Sequence, residues 1–133
     1  MDADAFKFDQ DEDFFALMSD RHGGSPISCV IVDEVQFLTK DQLWGLKKRS
    51  DELDIPVIAY GLRADFRGEP FEGNEYLLTW ADNLKEIKAI CHCGRKATMV
   101  LRIDESGAVV SDEDQVVIGG NDQYRSVCRR RFA

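Results

Sequence analysis

Residues 27–34 read ISCVIVDE and decide the fold, because a continuous apolar run stops there at two carboxylates. Continuous rather than alternating hydrophobicity predicts a strand that is buried on both faces, as in a parallel sheet. Cys29 would then be a small core residue. A second run of this kind, residues 56–60, reads PVIAY. We therefore predict two neighbouring strands of an α/β domain.

The segment between the two runs predicts a helix. Thr39 and Gln42 have the spacing of a capping box, in which two side chains satisfy free backbone amides. Behind them, Leu43, Leu46 and Leu53 fall on one helical face. Strand, helix and strand in this order form a right-handed β-α-β unit. In such sheets, ligands bind beyond the carboxyl ends of the strands.

The rest of the chain divides around this unit. A short helix is predicted through Phe14, Phe15, Leu17 and Met18, capped by Asp13 or a neighbouring residue, and is expected to break at residues 22–26, HGGSP. Helical spacing returns over residues 76–85. Short strands are then predicted at 89–91, 99–103 and 115–118. The predicted parts are an acidic leader with a short helix (1–26), a partial α/β core (27–88) and a small β-rich lobe (89–133).

Composition limits the function classes. The 133 residues carry a net charge of −8, which argues against non-specific binding to nucleic acid or to anionic membranes. No apolar run is long enough to cross a bilayer and no signal peptide is recognisable, so a cytoplasmic protein is expected. The last eleven residues hold four arginines and no acid. We interpret this basic end as a solvated tail rather than a phosphate-binding or nucleic-acid-binding patch.

The two carboxylates after the first run predict a phosphoryl-transfer site. Asp33 is suited to Mg²⁺, a hard cation that takes oxygen ligands and usually keeps several waters. Glu34, one residue on, could accept a proton from an attacking hydroxyl. The alternative is structural, because many strands end in acids simply where they meet solvent.

Three of the four cysteines are concentrated in the β-rich lobe. Cys91 and Cys93, with Cys128 brought in by a hairpin, form a pattern typical of structural zinc. The fourth ligand is expected three residues after Cys128, where Arg131 stands, and arginine cannot donate to zinc. His92 is the alternative fourth ligand, in cramped geometry. Three ordinary thiols in a small core are the other interpretation, and we favour zinc.

Four motifs together resemble the type II thymidine kinases, most closely the bacterial members. They are Asp33–Phe37, Tyr60–Phe71, Cys91–Thr98 and Ile118–Tyr124, in the family's order and with sensible spacing. The similarity runs from about residue 27 to residue 132. It implies a RecA-like, P-loop-type α/β fold with a small zinc-bearing lobe, whose lasso loop closes over thymidine. It also implies ATP-dependent phosphorylation of thymidine to dTMP, with Mg²⁺, in deoxynucleoside salvage, and a tetramer.

The resemblance also assigns residues. It implies that Glu34 is the general base for the 5′-hydroxyl of the deoxyribose. The segment beside ATP and Mg²⁺ would be Asp33, Glu34, Val35 and Gln36. The thymidine contacts would be Phe37, Leu62, Phe66, Gln115, Val116, Val117, Ile118, Gly119 and Tyr124. The zinc ligands would be Cys91, Cys93 and Cys128. Arg63 and Arg67 would be either anion contacts or salt-bridge partners within their loop.

One family motif is not found in this sequence. No Gly-x-x-x-x-Gly-Lys-Ser/Thr phosphate-binding loop occurs in it, so we expect the chain to start in mid-domain and to be inactive alone. One hypothesis is a split or truncated kinase that needs its N-terminal half. A second is a non-catalytic module that binds thymidine or dTTP, or that joins a mixed oligomer. A zinc-ribbon interaction domain is the least favoured, because it would not need Asp33 and Glu34.

Overall fold

The computed structural model describes residues 5–111 and 123–133, which form a mixed α/β structure. They divide into two compact units. The first comprises the residues up to Leu62 together with Glu72–Ala81, and the second comprises Arg63–Phe71 and the residues from Asp82 onward. In the part of the chain described, no helix has both the length and the apolar character needed to span a membrane.

The first unit contains the predicted β-α-β arrangement. Strand β1 (Val30–Val32) pairs in parallel with β2 (Val57–Ala59), and helix α2 (Lys40–Leu53) connects them. The predicted capping box is present, because Thr39 accepts a hydrogen bond from the Gln42 amide and the Gln42 side chain accepts one from Thr39 N. The prediction of two parallel strands joined by a helix is therefore confirmed.

Helix α1 (Phe14–Gly24) packs against α2. Asp13 caps it by accepting a hydrogen bond from Ala16 N, as predicted. The helix ends at Gly24, within the segment 22–26 predicted to break it, and the Ser25 amide closes its last turn on the Arg21 carbonyl at 3.1 Å. The buried core of this unit comprises Phe14, Met18, Val32, Val35, Leu38, Leu43, Leu46 and Ile55.

The expectation that the first strand is buried on both faces was wrong. Ile31 remains 66% exposed and its register partner Ile58 remains 45% exposed, whereas Val32 is buried. One face of this two-stranded sheet, formed by Val30, Val32, Val57 and Ala59, packs on the core, and the face that carries Ile31 and Ile58 does not. Cys29 precedes β1 and is exposed, so it is not a core residue.

Helix α3 (Glu72–Trp80) begins four residues before the start of the predicted segment and ends five residues before the end of that segment. Gly73 permits this position because it has no Cβ. A Cβ there would lie only 2.7 Å from the Val35 carbonyl oxygen and 2.8 Å from that of Leu38, which is too close. The close approach brings α3 against the 3₁₀ turn Val35–Phe37 that follows β1. At its other end, the Trp80 ring meets the Trp44 ring edge-on at 5.1 Å.

The second unit is built from short antiparallel strands. Strand β3 pairs with β4, and β5 lies between β6 and β7 in a three-stranded sheet. The elements are β3 (Ala89–Ile90), β4 (Lys96–Ala97), β5 (Met99–Ile103), β6 (Val109–Val110), β7 (Gln123–Val127) and α4 (Arg129–Phe132). The strand predicted at 115–118 lies outside the described residues.

The core of the second unit is small and rich in sulfur. Cys91, Val127 and Cys128 are buried, and Phe132 packs against them. A Cβ at Gly68 would lie 3.1 Å from the Phe132 ring, so the Arg63–Phe71 loop closes directly over α4. That loop thus belongs to the β-rich unit, although it follows β2 in the sequence.

Candidate functional site

The carboxylates at the end of β1 are both exposed. Asp33 follows the strand directly, and its Oδ1 accepts a hydrogen bond of 2.9 Å from Glu34 N. Glu34 has a left-handed backbone with φ 53°, a conformation that is uncommon for residues other than glycine. Its carboxylate accepts a hydrogen bond from Gln36 Nε2. The two acids thus have different settings, Asp33 open to solvent and Glu34 bonded to a neighbouring amide.

Gln36 connects Glu34 to the loop after β2. Its side chain is only 3% exposed, and while Nε2 donates to Glu34, Oε1 accepts from Leu62 N at 3.1 Å. A Cβ at Gly61 would lie 2.7 Å from Gln36 Oε1, so only glycine admits this contact. The amide therefore fixes the Glu34 carboxylate relative to the carboxyl end of β2.

Asn74 completes this arrangement and was missed by sequence reasoning. It is buried in the first turn of α3, and its side-chain amide donates to the Leu62 carbonyl. Both backbone groups of Leu62 are thus bound by buried amides, those of Gln36 and Asn74. The available signal was a polar residue directly after Gly73, but nothing in the pattern marked it as buried.

The other assigned residues of the first unit differ in accessibility. Phe37 is 39% exposed and Leu62 is 43% exposed, so both present apolar surface to solvent. Val35 is completely buried in the core, and its amide donates to the Tyr60 carbonyl at 2.9 Å. Its side chain therefore supports the turn and is not accessible to a ligand.

Two of the residues assigned to thymidine are described in the second unit. Phe66 is 4% exposed and lies under the Arg102 guanidinium, whose carbon is 5.4 Å from the ring centroid. Tyr124 is 56% exposed on β7, opposite Arg102 in the strand register. The remaining assigned residues lie outside the described part of the chain: Gln115, Val116, Val117, Ile118 and Gly119.

Arg67 acts as an ion-pair partner inside its own loop. Its guanidinium lies 3.0 Å from the carboxylate of Asp65, which is 1% exposed. Asp65 also accepts hydrogen bonds from the amides of Arg67 and Glu69. Arg63 donates to the Thr98 carbonyl at 3.4 Å. Of the two roles left open for Arg67, the structure shows the salt bridge within the loop.

The three lobe cysteines form a compact cluster. The Sγ atoms of Cys91, Cys93 and Cys128 all lie within 4.8 Å of one another, and those of Cys93 and Cys128 are 3.7 Å apart. Tetrahedral zinc with Zn–S distances of about 2.3 Å requires sulfur–sulfur edges of about 3.8 Å. The thiols therefore fit three corners of such a site and can hold a metal ion.

The fourth corner has no protein ligand among the described residues. His92 Nδ1 lies 3.6 Å from Cys91 Sγ, but it is not part of the set of mutually close ligand atoms. Arg131 instead lines the cavity beside Cys93, and its side chain contributes to lowering the pKa of that thiol. A permanently charged guanidinium cannot bind zinc, so the cluster offers three donors.

The environment of Cys93 favours its thiolate. A hydrogen bond from the Arg95 backbone is the main cause that lowers the pKa of Cys93 to about 7. Hydrogen bonds with Cys91, Cys128 and Arg131 act in the same direction. Thiolates are the nucleophilic and metal-binding form of cysteine. This cluster can therefore bind a metal, or react as a thiolate, near neutral pH.

Comparison with known proteins gives a consistent result. The family model described as "Thymidine kinase" matches residues 3–132. The thymidine kinases of Photobacterium profundum and Vibrio cholerae are each 53% identical over 132 residues, covering 99% of this chain and 69% of the relative. That of Coxiella burnetii is 56% identical over 124 residues, covering 92% of this chain and 63% of the relative.

Proposed function

Because this chain belongs to the thymidine kinase family, we propose that it carries the nucleoside-binding and proton-accepting part of an ATP-dependent thymidine kinase. The observation that carries the proposal is the setting of Glu34, whose carboxylate lies beyond a parallel strand and is held by a buried amide. In parallel sheets this is where ligands bind. We also propose that the first unit is part of a RecA-like core and that the second, β-rich unit is its accessory lobe.

In the proposed reaction, Glu34 accepts the proton of the thymidine 5′-hydroxyl. The hydroxyl oxygen forms a bond to the γ-phosphorus of ATP, the bond from that phosphorus to the β–γ bridging oxygen breaks, and ADP leaves. Phe37 and Leu62, whose apolar side chains are partly exposed, would pack against the base. Orientation of the hydroxyl against a fixed carboxylate is the contribution of this chain's own residues.

Two metals belong to the proposal. Mg²⁺ binds through one or two carboxylates plus substrate phosphates, and the exposed carboxylate of Asp33 meets that requirement. When bound, Mg²⁺ would neutralise charge on the phosphates. Zinc would be held by Cys91, Cys93 and Cys128, and would contribute folding free energy to the lobe.

The test measures transfer of labelled γ-phosphate from ATP to thymidine, with Mg²⁺, by the 133-residue chain and by its Glu34→Gln variant. The sequence contains no phosphate-binding loop motif, so we expect the chain alone to bind thymidine without turnover. A separately expressed segment that carries such a loop should restore turnover with the wild-type chain and not with Glu34→Gln.

The outcomes separate the hypotheses. Turnover by the chain alone would refute the need for the loop, and restored turnover that survives Glu34→Gln would refute the role of Glu34. Thymidine binding without any restoration would favour the second candidate, a non-catalytic binding module. Absence of thymidine binding in a folded chain would contradict both.

A further inference from the structure

A second candidate site lies beside the cysteine cluster. An open pocket of about 440 Å³ is lined by Cys93, Arg95, Arg130 and Arg131. We propose that this pocket is a binding site for a phosphate-class anion, held by the three guanidinium groups. The proposal is independent of the kinase reaction, because it uses none of the residues assigned to thymidine or ATP.

The charge around the pocket favours an anionic ligand. Arginine remains protonated at all physiological pH values, so three positive charges border one cavity in a chain whose net charge is −8. Within residues 5–111 and 123–133, no carboxylate forms an ion pair with any of these three arginines. Their charges are thus not neutralised by a described acid.

The positions of the arginines are set by folded backbone. Arg130 and Arg131 belong to α4, in which the amides of Arg131 and Phe132 both donate to the Cys128 carbonyl, at 2.9 and 3.1 Å. The Phe132 ring anchors this turn against Gly68 and the cysteine core. The Arg95 carbonyl accepts from Cys91 N at 2.8 Å, which fixes the other side of the pocket. The basic end is therefore folded as a short helix, and its arginines are exposed to solvent as expected from composition.

The three arginines that line the pocket are not all explained by a need to balance the negative charge of the cluster thiolates. Of the three side chains, only that of Arg131 contributes to the lowered pKa of Cys93. Arg95 and Arg130 also line the cavity, and their guanidiniums make no described hydrogen bond to sulfur. Guanidinium groups present planar pairs of donors that match phosphate oxygens. The ligand class that fits is therefore a phosphate, either free or as the end group of a larger molecule.

The test titrates inorganic phosphate and glycerol 3-phosphate into the reduced 133-residue chain with one equivalent of zinc, at constant ionic strength. Calorimetry gives the affinity, and amide NMR shifts locate the site. We expect saturable binding that shifts the Gly94 and Arg130 amides. Arg95→Ser and Arg130→Ser should each weaken it by about tenfold, since each removes a charged hydrogen-bond donor.

Arg129→Ser is the matched control, because it removes the same charge from the same helix but does not line the pocket. Its affinity should stay within about twofold of the wild type. Tighter binding of glycerol 3-phosphate would identify an attached phosphate, and equal binding would identify the free anion. Absence of saturable binding, or an equal loss in Arg129→Ser, would overturn the proposal.

Discussion

Gln36 shows how a single amide can set the geometry of a carboxylate. Its two side-chain atoms bond in opposite directions, to the Glu34 carboxylate and to the Leu62 amide, and the residue is 3% exposed. A buried polar group that loses its partner costs far more than an exposed one. Gln36 should therefore contribute both to stability and to the orientation of Glu34.

We predict that Gln36→Leu lowers the free energy of unfolding by about 1–3 kcal/mol, because the Leu62 N–H loses its acceptor in a partly buried setting. Urea unfolding followed by circular dichroism measures the change. Gln10→Leu, at an exposed position, is the control and should have little effect. Equal losses in both variants would contradict the assigned role.

Cys93 should be the most informative thiol in chemical modification. Because its pKa is lowered to about 7, the thiolate forms as the pH rises through about 7. In the metal-free chain, we predict that iodoacetamide alkylation of Cys93, followed by peptide mass spectrometry, increases through that pH and then levels off. One equivalent of zinc should suppress it, and an alkylation midpoint near pH 9 would count against the described environment.

At the scale of single residues, the sequence identified candidate functional residues better than it identified their hydrogen-bond partners. The acids at the end of β1 were identified from their position after an apolar run, and the three clustered cysteines from their spacing. The bonds of Gln36 and Asn74 to Leu62 were not, since they join residues that are far apart in the sequence. Burial depends on such distant partners, and no local pattern encodes it.

Among the secondary-structure elements, those with local signals were predicted best. Helix α2 begins at its capping box because Thr39 and Gln42 satisfy each other's amides within four residues. The burial of β1 was predicted wrongly. Only elements from elsewhere in the chain can cover the second face of a strand, and Ile31 on that face of β1 is exposed. The ends of α3 were also misplaced, because a glycine contact rather than apolar spacing positions it.

The contact of α3 with the 3₁₀ turn gives a direct test. A Cβ at Gly73 would meet two backbone carbonyls below 3.0 Å, which cannot move aside as a flexible side chain would. We predict that Gly73→Ala destabilises the chain by about 1–3 kcal/mol in urea unfolding.

Gly23→Ala is the matched control in another helix. A Cβ there would meet nothing within 4 Å, so the higher helix propensity of alanine should raise stability by about 0.5 kcal/mol. A Gly73→Ala variant as stable as Gly23→Ala would show that α3 does not approach the turn this closely.

At the scale of the whole molecule, the chain consists of two compact units with different cores. The first has one aliphatic and aromatic core cluster, whereas the second has a small cluster of Cys91, Val127 and Cys128, besides the buried Phe66, Phe71 and Val100. So few apolar residues give little stability on their own, and metal binding can supply the rest. The pattern of short strands predicted a separate lobe, but not that the Arg63–Phe71 loop belongs to it.

We predict that chelation of zinc weakens the second unit selectively. Hydrogen exchange at the amides of Val100 and Val127 should accelerate at least tenfold without metal, because zinc binding is linked to folding. Cys128→Ser should abolish stoichiometric zinc binding, whereas Cys29→Ser, an exposed cysteine outside the cluster, should retain it. Unchanged exchange after chelation would argue against a structural metal.

The edge-on contact of Trp44 with Trp80 has an optical consequence. These are the only two tryptophans in the chain, and both belong to the first unit. Indole emission will therefore follow the melting of the helices and the parallel strands, and it will be silent about the cysteine lobe. A single cooperative transition in tryptophan fluorescence would therefore report the unfolding of the first unit and give no information on the second.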